Sequence, residues 1–275
     1  MFIAKDIDGN NVTIEEAELF EKENPGVKRK YFCPSCGAEL KIDSKESKYK
    51  KIHFKHKRGT LCNDDWNYDM SEWHRNWQNC FPKECQEVVM TNKQGEKHRA
   101  DVCINNFVIE FQHSPISAEE VKSRNVFYTE LGYNIVWVFD ANNSIRDLDG
   151  IEFNEKYPIE RLYVGNKIFE WKRKKTTFAN FKFSNNMDIF FETQCNNVKT
   201  LFLVKPKDEK RFERMLFVQL IKKENFLKQY GAIDSNEIPS IRDIKDYTDN
   251  LIKNQFKNRQ KGYIYRPPTR RRWHF

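Results

Sequence analysis

The sequence has no apolar run approaching the about 20 residues that span a bilayer, so nothing in it suggests a membrane segment. Its opening residues, MFIAKDIDGNN, contain no apolar signal segment, and the expected compartment is the cytoplasm. No internal repeat and no long low-complexity segment is visible, which removes repeat architectures from consideration. Cysteine is limited to seven in 275 residues. In a cytosolic chain these are thiols or metal ligands rather than a disulfide framework. Disorder throughout is also excluded, because 39% hydrophobic and 14% aromatic residues supply a core.

Charge is abundant but unevenly placed. The chain carries 48 basic and 40 acidic side chains, a net charge of +8. Lys253, Lys257, Arg259, Lys261, Arg266, Arg270, Arg271 and Arg272 lie in a C-terminal stretch without an acid, so the rest of the chain sums to zero. Tyr263, Tyr265, Trp273 and His274 are interleaved with these cations. Cations for phosphate and rings for bases suit nucleic acid; the bland alternative is a solvated tail.

The N-terminal region holds Cys33-Pro34-Ser35-Cys36-Gly37, then His53-Phe54-Lys55-His56, then Cys62. A C-x-x-C turn brings two thiolates to one tetrahedral ion, and the glycine after it permits the tight backbone. His53, His56 and Cys62 compete for two remaining places. On a strand, positions 53 and 56 face opposite ways, so only one histidine points at the ion, and His56 is favoured because it lies nearer Cys62. With four protein ligands such a site is structural Zn²⁺.

Trp66, Met70, Trp73, Trp77 and Phe81 recur at helical spacing, forming one apolar face. His74 falls at the edge of that stripe, with Ser71 and Gln78 just beyond it, and Glu72 on the opposite side. Glu87–Thr91, Arg99–Ile104 and Phe107–Gln112 then read as strands. Asn105-Asn106 between the last two is a credible two-residue turn, because asparagine tolerates positive φ. That turn pairs residues whose numbers sum to 211. Asp101 then faces Glu110, and Arg99 faces Gln112. Directly opposed carboxylates destabilise a sheet, so a cation is expected between them: Arg99, or a divalent metal such as Mg²⁺ or Mn²⁺. Ser117 to Glu120 reads as a helix-starting capping box, with Gly132 as the stop. Ile135–Phe139 reads as a buried strand. The order is helix, three strands, helix, strand. Beyond it, Lys167–Trp171, Phe178–Phe183 and Leu201–Val204 read as strands. Residues 207 to 258 read as helical, with Gly231 as a stop and Ser240 and Asp243 spaced to cap a last helix.

With Asp101 and Glu110-Phe111-Gln112 on adjacent strands, this α/β order resembles the PD-(D/E)xK nuclease fold. The stretches YFCPSCGAEL, HFKH, SEWHRNWQ, HRADVCINNFVIEFQHSPIS and EEVKSRNVFY resemble more narrowly the competence protein CoiA-like family, over about residues 30 to 140. The chain is read as a zinc-ribbon-like N-terminal region (1–65), a nuclease-like core (66–160) and a C-terminal α+β extension with the basic tail (161–275), and the resemblance covers only part of it. The resemblance implies a metal-dependent nuclease acting on DNA phosphodiesters, in DNA uptake, recombination or a related pathway, with DNA and other DNA-processing proteins as partners and no membrane. Asp101 and Glu110 match the metal-binding acids, His74 the helical histidine, and Arg124 an arginine facing phosphate. Gln112 stands where the wider superfamily has lysine, and it supplies neither a cation nor a base; Arg99 is expected to make up the missing charge. Arg266, Arg270, Arg271 and Arg272 are the expected tail contacts to DNA. The competing reading is a nuclease fold that lost its chemistry and binds DNA or recruits partners.

Overall fold

An N-terminal module leads into a larger sheet, and the contacts between the two position the site. Strands β1 (Ile3–Lys5) and β2 (Asn11–Thr13), helix α1 (Ile14–Glu23), and strands β3 (Tyr31–Phe32), β4 (Glu39–Asp43) and β5 (His53–His56) form the module. Its sheet runs β2-β1-β3-β4-β5, antiparallel throughout. Thr13 starts α1 with a reciprocal capping box: its hydroxyl accepts the Glu16 N–H at 3.2 Å, and the Glu16 carboxylate accepts the Thr13 N–H at 2.7 Å. Phe2, Tyr31, Cys33, Leu40 and Phe54 fill the small core beneath it. The structure is a computed structural model and describes residues 1–44, 51–62, 71–141, 145–147, 161–164, 167–171, 187–195, 198–204, 215–234 and 238.

The core follows as α2 (Glu72–Gln78), β6 (Gln86–Thr91), β7 (Lys97–Ile104), β8 (Phe107–Gln112), α3 (Ala118–Glu130) and β9 (Asn134–Asp140). This is the expected order of helix, three strands, helix and strand. Helix α2 is shorter than the aromatic stripe suggests. Ser71 caps it, its oxygen accepting the His74 N–H at 3.2 Å; Trp66 and Met70 lie outside the described residues. Asn105 turns the β7–β8 hairpin at φ 52°, and the register is the expected one over three pairs, Val102 opposite Ile109, Cys103 opposite Val108 and Ile104 opposite Phe107; the ladder ends there, so the expected direct pairing of Asp101 with Glu110 is not made. Helix α3 starts at Ser117, whose hydroxyl accepts the Glu120 N–H at 3.1 Å, while the Glu120 carboxylate turns away to Arg124.

Strand β9 runs parallel beside β8, with Glu110 opposite Trp137 and Gln112 opposite Phe139. The sheet separates two cores. Trp77, Phe81, Val102, Ile104, Ile109, Phe111 and Phe226 pack on the α2 side. Ala100, Val108, Val121, Phe127, Tyr128 and Trp137 pack on the α3 side. Ala100 and Val102 thus face opposite cores although alternation would put them together. The break is at Asp101: the β6–β7 ladder pairs Gln86 with Val102 and Val88 with Ala100, and Glu87 between them has φ 48°, an unusual backbone for a residue with a side chain.

Strands β10 (Ile145–Asp147), β11 (Arg161–Val164), β12 (Lys167–Trp171), β13 (Met187–Cys195), β14 (Val198–Val204) and β15 (Met215–Ile221) precede α4 (Lys223–Gln229). Among the described residues the second sheet has ten strands, β10-β12-β11-β15-β14-β13-β9-β8-β7-β6. Strand β13 lies parallel to β9, so these strands extend the core sheet. The helical expectation over 207–258 is corrected at Met215–Ile221, which is a strand. Its apolar run MLFVQLI is too short and too continuous for periodicity to separate strand from helix. Gly231 stops α4 at φ 81°. Phe178–Phe183, Ser240, Asp243 and the basic tail lie outside the described residues. Among those described, no helix is long and apolar enough to cross a membrane.

Candidate functional site

Two carboxylates sit where β7 and β8 part. Asp101 is 3% exposed and Glu110 fully buried. The Phe111 N–H, which would otherwise continue the ladder, donates instead to Asp101 Oδ2 at 2.8 Å. The other oxygen, Oδ1, is 3.2 Å from His74 Nε2 on α2. Helix α3 addresses Glu110 from its own side of the sheet: Arg124 Nη1 donates to Oε2 at 2.6 Å and the Tyr128 hydroxyl donates to Oε1 at 2.9 Å.

Burial and mutual repulsion govern the electrostatics of this pair. Burial, then the neighbouring Asp101 carboxylate, push the Glu110 carboxyl up to about 7, against the pull of Arg124 and Tyr128. Arg124 is shared, because Nη2 donates to Glu120 at 2.6 Å. Two carboxylates, Glu110 and Glu120, therefore share one guanidinium. Burial works against the Arg124 charge, but Glu110 and Asp101 hold it protonated.

Several expected placements change. Arg124 does not face phosphate; it is 2% exposed and committed to Glu110 and Glu120. Arg99 does not face Gln112. It pairs with Val89 across β6–β7, and its Nε lies 4.0 Å from Glu87 Oε2. The hairpin register alone misplaced it, because the kink at Asp101 and Glu87 turns this part of β7 toward β6. Gln112 is half-buried and donates through Nε2 to the Ser114 carbonyl at 2.6 Å. His74 is buried against Asp101, as the edge of an apolar helical stripe allows. Glu72 is exposed, near Lys51 at 3.7 Å.

Other residues around the site had no signal in local sequence. Tyr128 reaches Glu110 from the next turn of α3. Glu192 on β13 accepts the Trp73 indole N–H and, at 3.1 Å, that of Trp77. His113 Nδ1 lies 2.5 Å from Asp140 Oδ2. These depend on the parallel pairing of β8, β9 and β13, which no spacing encodes.

The second cluster lies in the N-terminal module. Cys33 Sγ, Cys36 Sγ, a His56 ring nitrogen and Cys62 Sγ lie within 4.8 Å of one another. Gly37, at φ 71°, closes the turn through its N–H to the Cys33 carbonyl at 2.9 Å. The sequence alternative resolves toward His56, whose Nε2 is 3.4 Å from Cys36 Sγ. His53 instead places Nδ1 2.7 Å from the Lys51 carbonyl. Burial pushes the Cys33 thiol up to about 12, with the nearby thiols adding to it. Three sulfurs and one imidazole at this spacing could hold a soft tetrahedral ion such as Zn²⁺.

Comparison with known proteins adds one match. Residues 86–155 match the family model described as competence protein CoiA, nuclease-like domain. No curated protein and no solved structure matches. The matched span starts at β6 and includes Asp101, Glu110 and Gln112, while His74 and the cysteine cluster precede it. Residues 86–155, which hold β6 to β9 and the residues that follow them, are therefore similar to the nuclease-like domain of that family.

Proposed function

We propose that this protein is a metal-dependent nuclease that hydrolyses DNA phosphodiester bonds, with its centre at Asp101 and Glu110. The supporting observation is the charge balance. Glu110 and Glu120 share the Arg124 guanidinium, Asp101 adds a second buried carboxylate acting on Glu110, and the Glu110 carboxyl is pushed up to about 7. Buried charge left uncompensated is costly, and a hard divalent cation such as Mg²⁺ or Mn²⁺ matches the deficit and the oxygen donors. Asp101 and Glu110 would hold the ion, which would supply Lewis-acid polarisation of the scissile phosphate. His74, packed on Asp101, orients that carboxylate. Gln112, tied to Ser114, positions rather than transfers protons. Zn²⁺ in the cluster of Cys33, Cys36, His56 and Cys62 stabilises the N-terminal module, and the arginines at 266 and 270–272 grip DNA phosphate.

A second reading, a DNA-binding protein that kept the fold and lost the chemistry, is favoured by the Arg124 guanidinium at 2.6 Å from Glu110, a cation already in place. Cleavage separates the two readings. Single-stranded and duplex DNA are incubated with wild type, Asp101→Asn and Glu110→Gln, in Mg²⁺, in Mn²⁺ and in chelator. The nuclease reading expects metal-dependent cutting by wild type only. Salt-sensitive DNA binding without cutting in any metal supports the second reading.

A further inference from the structure

We propose that His113 and Asp140 form the proton-accepting dyad of this site, supplying the base that Gln112 cannot. The inference rests on the nuclease reading. Strand β9 lies parallel to β8 with Phe139 opposite Gln112, so the next residues, His113 and Asp140, meet at the C-terminal edge of the two strands. His113 Nδ1 and Asp140 Oδ2 are 2.5 Å apart; the histidine side chain is 41% exposed and the carboxylate 9%. A carboxylate on Nδ1 fixes the tautomer with its proton there, and the lone pair then resides on Nε2, the arrangement in which a histidine accepts a proton from a nucleophile.

Neighbouring side chains connect this dyad to Asp101. His113 follows the end of β8 two residues after Phe111, whose N–H binds Asp101. Trp73 bridges the two, its ring centroid 6.2 Å from His113 and 6.4 Å from Phe111. His74, one residue on, lies 6.0 Å from the same phenyl ring. Trp73 is itself fixed by its indole N–H to Glu192, the residue paired with Asp140 across β9–β13. One continuous set of contacts thus runs from Asp101 through Phe111 and Trp73 to His113 and Asp140.

In the hydrolysis, Nε2 of His113 takes a proton from a water as its oxygen bonds to phosphorus. The phosphorus–oxygen ester bond breaks, and the departing oxygen takes a proton from solvent. Asp140 stays ionised and steadies the imidazolium.

The test compares single-turnover cleavage of labelled DNA in Mn²⁺ by wild type, Asp101→Asn, Asp140→Asn, His113→Gln and His113→Ala. Loss of a general base is expected to slow both His113 variants about 100-fold or more, and Asp140→Asn by about tenfold. Melting temperature and metal-free DNA affinity should stay at wild-type values. Added imidazole should restore His113→Ala by about tenfold and leave Asp101→Asn inactive. If His113→Ala stays within roughly threefold of wild type, or is slow but not rescued by imidazole, while Asp101→Asn is inactive, the dyad is wrong and the nuclease reading stands. Wild type that cuts in no metal overturns both.

Discussion

The carboxylate of Glu87, on the first core strand, accepts the backbone N–H of Phe2, on the first strand of the N-terminal module, at 2.8 Å to each oxygen, and the Ile3 N–H at 2.9 Å. This joins the module to the sheet beside Asp101. Phe2 also lies under the Arg75 guanidinium at 5.1 Å and 6.4 Å from the His74 ring. Arg75 reaches back to Glu15 of α1 at 2.6 and 2.8 Å. Helix α2, which carries His74, is therefore held from the module side as well as from the sheet side.

Glu87 makes stability depend on acid. Burial opposes its charge, but Arg99, the chain's amino terminus and the Phe2 and Ile3 amides hold its carboxyl down at about 2. A depressed carboxyl stabilises the fold above its ordinary value of 4.5 and loses that contribution as pH falls toward 2. The shift corresponds to about 3 kcal/mol. Glu87→Gln should cost a stability of that order at pH 7 and flatten the acid limb. Denaturant melts between pH 2 and 7 check this, and a variant with an unchanged acid limb would contradict it.

Glu110 has the opposite sign. Its carboxyl is raised to about 7, so its contribution is fully present below 4.5 and is lost as pH rises through 7. Metal-free protein should lose stability over that window, and Glu110→Gln should not. Melting in chelator at pH 5 and pH 8 measures the difference.

Arg124 should behave as an internal ion-pair partner. Arg124→Gln leaves Glu110 buried without its cation, which costs about 3–5 kcal/mol. Its effect on the salt dependence of DNA binding should be nil. Neutralising Arg270, Arg271 and Arg272 should instead reduce the slope of log affinity against log salt by roughly 2–3 and leave melting unchanged.

The cysteine cluster should bind one zinc per chain, read by metal analysis. Cys36→Ser should lose that zinc and lower the melting temperature, because the module has a small core and metal binding is coupled to its folding. Full zinc content in Cys36→Ser would contradict the ligand set.

What local sequence could show followed local physics. The Asn105 turn set the β7–β8 register, because a two-residue turn leaves no freedom in pairing. The aromatic stripe placed His74 beside the sheet, and strand alternation separated His56 from His53. Legibility ended at the kink in β7. One left-handed residue, Glu87, sends Ala100 and Val102 to opposite cores and turns Arg99 away from Gln112, and composition gives no sign of it. Contacts across parallel strands were equally hidden, since the partners of His113 and Glu192 are fixed by a sheet order that spans α3 and much of the C-terminal half.

Everything proposed for the core site requires that Asp101 and Glu110 share a divalent cation. Mn²⁺ binding, followed by electron paramagnetic resonance in the absence of DNA, tests that most directly. The account predicts a site in wild type that is lost in Asp101→Asn and in Glu110→Gln and retained when Cys36 is replaced by serine. Mn²⁺ that fails to bind, or that binds both core variants as it binds wild type, would contradict it.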